Sequence, residues 1–221
     1  MKRTDEFEKI SVDEMLDFSE KKSKRIDKAT DLGTRIGILL LFPYVIWLSK
    51  YSASYVASIH NRPISFNFDG IMLMFHNLLM NGNMIVHESG HGICYLLPCP
   101  QFLTALNGTL FQLALPLIFI YYYYKRHNDL AISLGFIWLA QNLVYVAWYM
   151  SYSQTPNIYP FFLGGSATHD FWYLFSQLGV LEYDWLISGF VRFTAVIILL
   201  GAYFNLLYIA FLKNRPKRGR K

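Results

Sequence analysis

Five long apolar segments constrain this chain more than any other feature of its sequence. They lie near residues 36–57, 71–97, 102–124, 130–151 and 186–212. A helix of about 20 apolar residues crosses the hydrocarbon core of a bilayer, and a backbone in lipid must satisfy its hydrogen bonds within its own segment or barrel. The sequence therefore predicts an all-α, polytopic membrane bundle with about five transmembrane spans, or at most six.

The charged residues are concentrated at the two ends of the chain. Residues 1–31 carry eight Lys/Arg and nine Asp/Glu, and residues 213–221 carry six Lys/Arg. A middle with so few charges suits a hydrocarbon environment. We therefore predict a charged tail or surface helix over residues 1–33, a transmembrane domain with a metal site over 34–212, and a basic tail over 213–221.

The formal net charge of +5 does not indicate nucleic-acid binding, because no folded basic face remains without the tails. Basic tails beside membrane spans contact anionic lipids and help to set orientation. The N-terminal helix is either solvated, which we favour, or lies on the membrane or docks a partner. Cys94 and Cys99 lie in apolar sequence and imply no disulfide framework. We expect a multi-pass protein of the bacterial cytoplasmic membrane.

The orientation in the membrane is ambiguous from sequence. With five crossings, the two tails lie on opposite faces. The C-terminal tail shares one face with residues 50–69 and 125–127, and the N-terminal tail shares the other with residues 98–101 and 152–169. Both tails are rich in Lys/Arg, so the positive-inside rule favours the first face as cytoplasmic only slightly.

His87-Glu88-Ser89-Gly90-His91 is an HExxH motif inside the second apolar segment. Helix residues four apart project from the same face, so both imidazoles can reach one ion. Glu88 is offset by one residue, which lets it approach a metal-bound water without binding the metal. The alternative is hydrogen-bonded interior histidines or a polar patch lining a pore. We favour the metal site because a glutamate in hydrocarbon is costly.

A catalytic zinc takes three protein ligands, and Asp170 is the predicted third. It follows the apolar, Gly-containing segment "NIYPFFLGGSATH" on the side where the HExxH helix ends. His87 would lie about 15 Å below that face at about 1.5 Å per residue. Asp170 can reach it only from a re-entrant loop. Asp170 could instead cap the following helix, a role compatible with binding metal, and His169 is the reserve ligand.

Asn107, Gln112 and Asn142 are predicted to lie at similar depths in the third and fourth apolar segments. Intramembrane amides often only join helices to one another. The more specific alternative is that one of them donates to a developing oxyanion or holds the substrate backbone.

This pattern, an HExxH motif in one span and an Asp near glycines at a later one, resembles the site-2 protease type of intramembrane zinc metallopeptidase. The resemblance covers roughly residues 71–180. The arrangement "HESGH … NGTLFQ … GGSATHDFWYL" is also similar to small bacterial membrane proteins with HExGH and His-Asp-Trp-like motifs. The later protease motif is usually Leu-Asp-Gly after an Asn-Pro element, whereas Asp170 stands in "THDFW". No PDZ-like insertion is present.

The expected function is hydrolysis of a peptide bond in or near a membrane-spanning segment. One zinc ion on His87, His91 and Asp170 would activate water, with Glu88 as general base. The expected partners are membrane lipids and a membrane-protein substrate. The alternative is a non-enzymatic metal-binding or scaffolding membrane protein, and a zinc hydrolase acting on a lipid is a third option.

Overall fold

Helices make up almost all of the described chain in the computed structural model. The structure describes residues 12–50, 66–156 and 169–213, with side chains from residue 31 onward. The helices are α1 (Val12–Lys50), α2 (Phe68–Leu96), α3 (Gln101–Lys125), α4 (Asp129–Met150), α5 (Asp170–Leu178) and α6 (Asp184–Tyr208). A 3₁₀ turn, Leu181–Tyr183, precedes α6, and a π-helical turn, Ile209–Lys213, follows it. These residues contain no strand, which confirms the all-α prediction for them.

Four helical segments are long and apolar enough to cross a membrane. They are Asp31–Lys50, Gln101–Lys125, Asp129–Met150 and Leu181–Leu212. They correspond to four of the five predicted spans. The predicted second span, α2, has 29 residues but is not among the four, because histidines, asparagines and Glu88 interrupt its apolar sequence. The predicted re-entrant loop before Asp170 falls on residues 157–168, outside the described residues.

Contacts between α1 and α6 show that these two helices run antiparallel. The Arg35 guanidinium lies 5.7 Å from the centre of the Phe211 ring, and the Tyr203 hydroxyl donates to the Ile38 carbonyl at 3.1 Å. The start of the apolar part of α1 therefore lies beside the C-terminal end of α6. The helix ends that lead into the two tails thus lie at the same end of the bundle, in contrast to the prediction that the tails lie on opposite faces, which assumed that every apolar segment crosses once in alternating directions. The tail residues 1–11 and 214–221 themselves lie outside the described residues.

The turn between α3 and α4 lies at this same end, because Asn205 of α6 donates to Ser133 near the start of α4 at 2.8 Å. We call it the Arg126 end. The opposite end holds residues 97–100, 151–156 and 179–183, and we call it the Cys99 end. The helices α1, α3, α4 and α6 thus alternate in direction. The chain between α1 and α3, which contains α2, starts and finishes on the Cys99 side.

Two buried apolar clusters hold the helices together. The larger one packs α1, α4 and α6 around Trp47, Ala140 and Leu199. The smaller one packs Phe171 and Leu174 of α5 against the last turns of α4 and the first turn of α3. Burial of this face holds the short helix α5 in place, although nine residues would be too few to form a stable helix alone. The smaller cluster therefore fixes where Asp170, the first residue of α5, lies.

The structure joins Cys94, in the last turn of α2, to Cys99, just before α3, as a disulfide with a Cα–Cα distance of 5.0 Å. The Cys99 amide also donates to the Cys94 carbonyl at 3.0 Å. The sequence implies no disulfide framework, because apolar surroundings suit a packed free thiol equally well. The turn between the two helices brings the two sulfur atoms together and so links α2 covalently to the start of α3.

Candidate metal centre

Three side chains that could bind a metal meet inside the bundle, where α5 begins beside α2. The Nε2 atoms of His87 and His91 lie 3.1 Å apart. The Asp170 Oδ2 atom lies 3.2 Å from the His87 Nε2 and 3.3 Å from the His91 Nε2. The structure thus brings together the three residues that the sequence selects as ligands, although 83 positions separate His87 from Asp170.

The hydrogen bonds of the two imidazoles fix their tautomers. The His91 Nδ1 lies 2.7 Å from the Thr104 carbonyl oxygen, which can only accept, so Nδ1 carries the proton. The His87 Nδ1 lies 3.1 Å from the Gln112 Oε1, and Gln112 gives its own N–H to the Asn142 Oδ1 at 3.0 Å. When the rings are neutral, this arrangement leaves an Nε2 lone pair on each histidine that faces Asp170.

This arrangement fits a cation. Two nitrogen lone pairs and a carboxylate oxygen would repel one another at 3.1–3.3 Å unless a proton or a metal cation lies between them. Zinc binds such atoms at about 2.0–2.2 Å in a tetrahedral shell, which puts neighbouring ligand atoms about 3.3–3.6 Å apart. The triangle of ligand atoms is close to one face of that tetrahedron. No fourth His, Cys, Asp or Glu among the described residues occupies the remaining corner of the tetrahedron.

A glycine of α3 makes room for the three ligand atoms. A Cβ atom at Gly108 would lie 2.5 Å from the His91 Nε2 and 2.7 Å from the His87 Nε2. Both distances are shorter than van der Waals contact, so a larger residue would occupy the space in front of the two nitrogens. Sequence reasoning missed Gly108, since a glycine inside an apolar helix gives no sign of which neighbour lies against it.

Tyr149 holds Asp170 in place. Its buried hydroxyl accepts the Asp170 backbone N–H at 3.0 Å and donates to the Asp170 Oδ2 at 3.2 Å. Sequence reasoning missed this residue, because nothing distinguishes it among 16 tyrosines. The predicted reserve ligand, His169, is not in the group. Its Nδ1 instead accepts the Trp172 N–H at 3.2 Å and caps α5, so the cap position that we considered for Asp170 is taken by His169.

The three amides that we considered as oxyanion or substrate contacts all bond to neighbouring helices or within their own. Asn107 donates to the Gly90 carbonyl at 2.7 Å and so joins α3 to α2. Asn142 donates to the Trp138 carbonyl at 2.9 Å and accepts from Gln112. These bonds favour the helix-joining interpretation for all three residues. A direct contact with substrate stays a prediction.

Glu88 is exposed and lies next to His87 on α2. Its carboxylate makes no hydrogen bond or ion pair with the described part of the chain. No structural partner therefore holds this carboxylate. A group that exchanges a proton with water needs such freedom.

Comparison of the chain with protein-family models, with curated proteins and with solved structures gives no match. The resemblance to site-2 proteases therefore stays an expectation from the sequence motifs, and the site must be interpreted from its own geometry.

Proposed function

We propose that this chain is a multi-pass zinc metallopeptidase of the bacterial cytoplasmic membrane, which hydrolyses a peptide bond in or near a membrane-spanning segment. One observation carries the proposal. The His87, His91 and Asp170 ligand atoms form a triangle with edges of 3.1–3.3 Å, and both histidines are held in the tautomer that binds metal.

The donor set favours zinc, which takes imidazole nitrogen and carboxylate oxygen readily in tetrahedral sites. Three protein ligands and an open position are typical of catalytic zinc, whereas structural sites have four protein ligands. When bound, the ion would act as a Lewis acid on the substrate carbonyl and lower the pKa of water at the open position towards ~7.

Glu88 would act as general base. It is one residue from His87 on α2 and its carboxylate has no described partner, so it can take the proton of the attacking water and later deliver it to the leaving amine. Asp170 would supply the negative charge that partly balances the cation, and the Tyr149 hydroxyl would hold the Asp170 Oδ2 in the ligand position.

The site lies at a depth that suits a membrane-embedded substrate. His87 is nine residues from the end of α2, or about 14 Å at about 1.5 Å per residue. Ile71, Leu78 and Ile85 on the outer face of α2 are exposed, while His76 and His87 are buried. This pattern supports a position for α2 inside the bilayer with its polar side inward. A helical substrate shields its peptide bonds, so we expect Gly, Pro or Asn near the cut.

The test compares wild type with Glu88→Gln and with a matched control, Glu182→Gln, which alters an exposed glutamate outside the site. Each protein is co-expressed with a panel of single-span segments that carry helix-loosening residues. We expect wild type and Glu182→Gln to cut a segment, and Glu88→Gln to retain zinc but lose cleavage. Cleavage by Glu88→Gln at the wild-type rate would refute the assigned role and favour a non-enzymatic metal-binding or scaffolding protein.

A further inference from the structure

We propose that the metal centre opens towards the non-cytoplasmic side of the membrane. This inference rests on the proposed function. The substrates of the site are then membrane-spanning segments whose scissile peptide bond lies in the non-cytoplasmic half of the bilayer. The inference combines two independent observations. One is the end of the bundle towards which the site opens, and the other is the compartment that this end faces.

The site is closed on the side of the Arg126 end. The hydrogen-bond chain from His87 through Gln112 and Asn142 continues, because the Trp138 indole N–H donates to the Asn83 Oδ1 at 3.0 Å. Asn83 is one turn nearer the Arg126 end than His87 on α2. Gln112 is 1% exposed, Asn142 0% and Asn83 4%. A layer of buried, mutually bonded side chains therefore separates the ligands from that end.

The site is nearer to the Cys99 end and more open on that side. His87 is about 14 Å from the Cys99-side end of α2 and about 28 Å from its start, at about 1.5 Å per residue. The side chain of His91, one turn closer to the Cys99 end, is 13% exposed, as is that of Asp170, against 3% for His87. Glu88, between the two histidines on α2, is exposed. Among the described residues, the ligands are therefore more accessible from this half of the bundle than from the other.

The Lys and Arg residues indicate that the Arg126 end is cytoplasmic. Arg35, Lys125 and Arg126 lie there, and the contacts of α1 with α6 bring to this end the two helix ends that lead into the Lys/Arg-containing terminal segments, residues 1–31 and 213–221. The described turns at the Cys99 end contain no Lys or Arg. Among the described residues, the cations nearest to that end are Lys50, at the end of α1, and Arg192, about two turns inside α6. By the positive-inside rule, the Cys99 end faces away from the cytoplasm.

The disulfide between Cys94 and Cys99 agrees with this orientation. Disulfides persist in oxidising compartments such as the bacterial periplasm and are rare in the cytosol. This disulfide lies at the end whose described turns contain no Lys or Arg. The distribution of cations in the sequence and the disulfide in the structure are separate features, and both assign the Cys99 end to the non-cytoplasmic side.

The orientation test uses cysteine labelling in the full chain, in a background with Cys94→Ser and Cys99→Ser. Leu97→Cys reports on the Cys99 end and Tyr124→Cys on the Arg126 end, since both side chains are exposed. A membrane-impermeant thiol reagent is applied to spheroplasts and to inverted membrane vesicles. We expect Leu97→Cys to react in spheroplasts and Tyr124→Cys in inverted vesicles. The reverse pattern overturns the orientation.

The same assay measures access to the site. Glu88→Cys replaces an exposed residue between the two histidines, and Met80→Cys is a matched control because Met80 is buried on the closed side of the same helix. We expect Glu88→Cys to react in spheroplasts and Met80→Cys to react in neither preparation. Reaction of Glu88→Cys only in inverted vesicles, or in neither preparation, overturns the proposal.

The substrate class is tested with two single-span segments of equal composition, which carry one Gly-Asn pair in either the non-cytoplasmic or the cytoplasmic half. We expect wild type to cut only the first segment. Cutting only the second, or both equally, overturns this inference and leaves the proposed function standing. Cleavage that persists in Glu88→Gln contradicts the proposed function instead, while the labelling result still decides the orientation.

Discussion

At the scale of single residues, the candidate site depends on side chains that do not themselves touch a metal. Gln112 and the Thr104 carbonyl fix the tautomers of the two histidines, and Tyr149 fixes Asp170. The meeting of the three candidate ligands could be predicted from sequence, because HExxH spacing and an Asp within apolar sequence are local signals. Their supports could not, because a tyrosine or glutamine gains such a role only through the helix packed against it.

Replacement of Gly108 by Ala should abolish metal binding. The added Cβ would lie 2.5 Å and 2.7 Å from the two imidazole Nε2 atoms and would displace at least one ligand. The matched control is Gly92→Ala, one residue beyond the motif on α2, where a Cβ would meet no atom within 4 Å. We expect metal analysis of the purified proteins to show zinc in Gly92→Ala and none in Gly108→Ala. Equal zinc content in both would contradict the packing described.

Replacement of Gln112 by Leu should weaken metal binding by about 10–100-fold, the usual effect of removing a partner that orients a ligating histidine. The His87 ring would lose the acceptor that holds its Nδ1 proton. Gln141→Leu is the control, since Gln141 is equally buried but outside this hydrogen-bond chain. A competition titration with a zinc chelator measures the affinities. If both variants bound zinc as wild type does, the tautomer role of Gln112 would be excluded.

At the scale of helices, the apolar segments predict where α3, α4 and α6 lie. A long apolar segment in lipid satisfies its backbone hydrogen bonds within itself by forming a helix. The direction of α1 is not predictable in the same way. It depends on whether the chain between α1 and α3 crosses the membrane, and α2 is too polar to count as one apolar span. The close contact of α2 with α3 is also not predictable from the sequence. It depends on Gly90, where a Cβ would lie 2.9 Å from the Asn107 carbonyl carbon.

At the scale of the whole molecule, the candidate site joins two helices, α2 and α5, that pack little on each other directly. Asp170 belongs to a short helix that packs on α3 and α4, and both histidines belong to α2. The four apolar helices account for a membrane bundle by themselves. A cation between α2 and α5 would therefore stabilise the position of two elements that the apolar segments leave unspecified.

Metal removal should accordingly lower the thermal stability of the purified protein. A ligand that binds only the folded state at 100 times its Kd contributes about 2.7 kcal/mol. We expect a chelator to lower the Tm of wild type and added zinc to restore it. His91→Ala, which lacks one ligand, should show the same Tm in both conditions. A shift of equal size in His91→Ala would place the stabilising metal elsewhere.

Metal content of the purified chain tests most directly whether two distant parts of the sequence hold one cation. We predict one zinc per wild-type chain, loss of zinc in His87→Ala and Asp170→Ala, and retention in Glu88→Gln. His127→Asn, which alters an exposed histidine in the α3–α4 turn, should also retain it. If Asp170→Ala binds zinc as tightly as wild type, Asp170 is not a ligand and the metal centre proposed here is wrong.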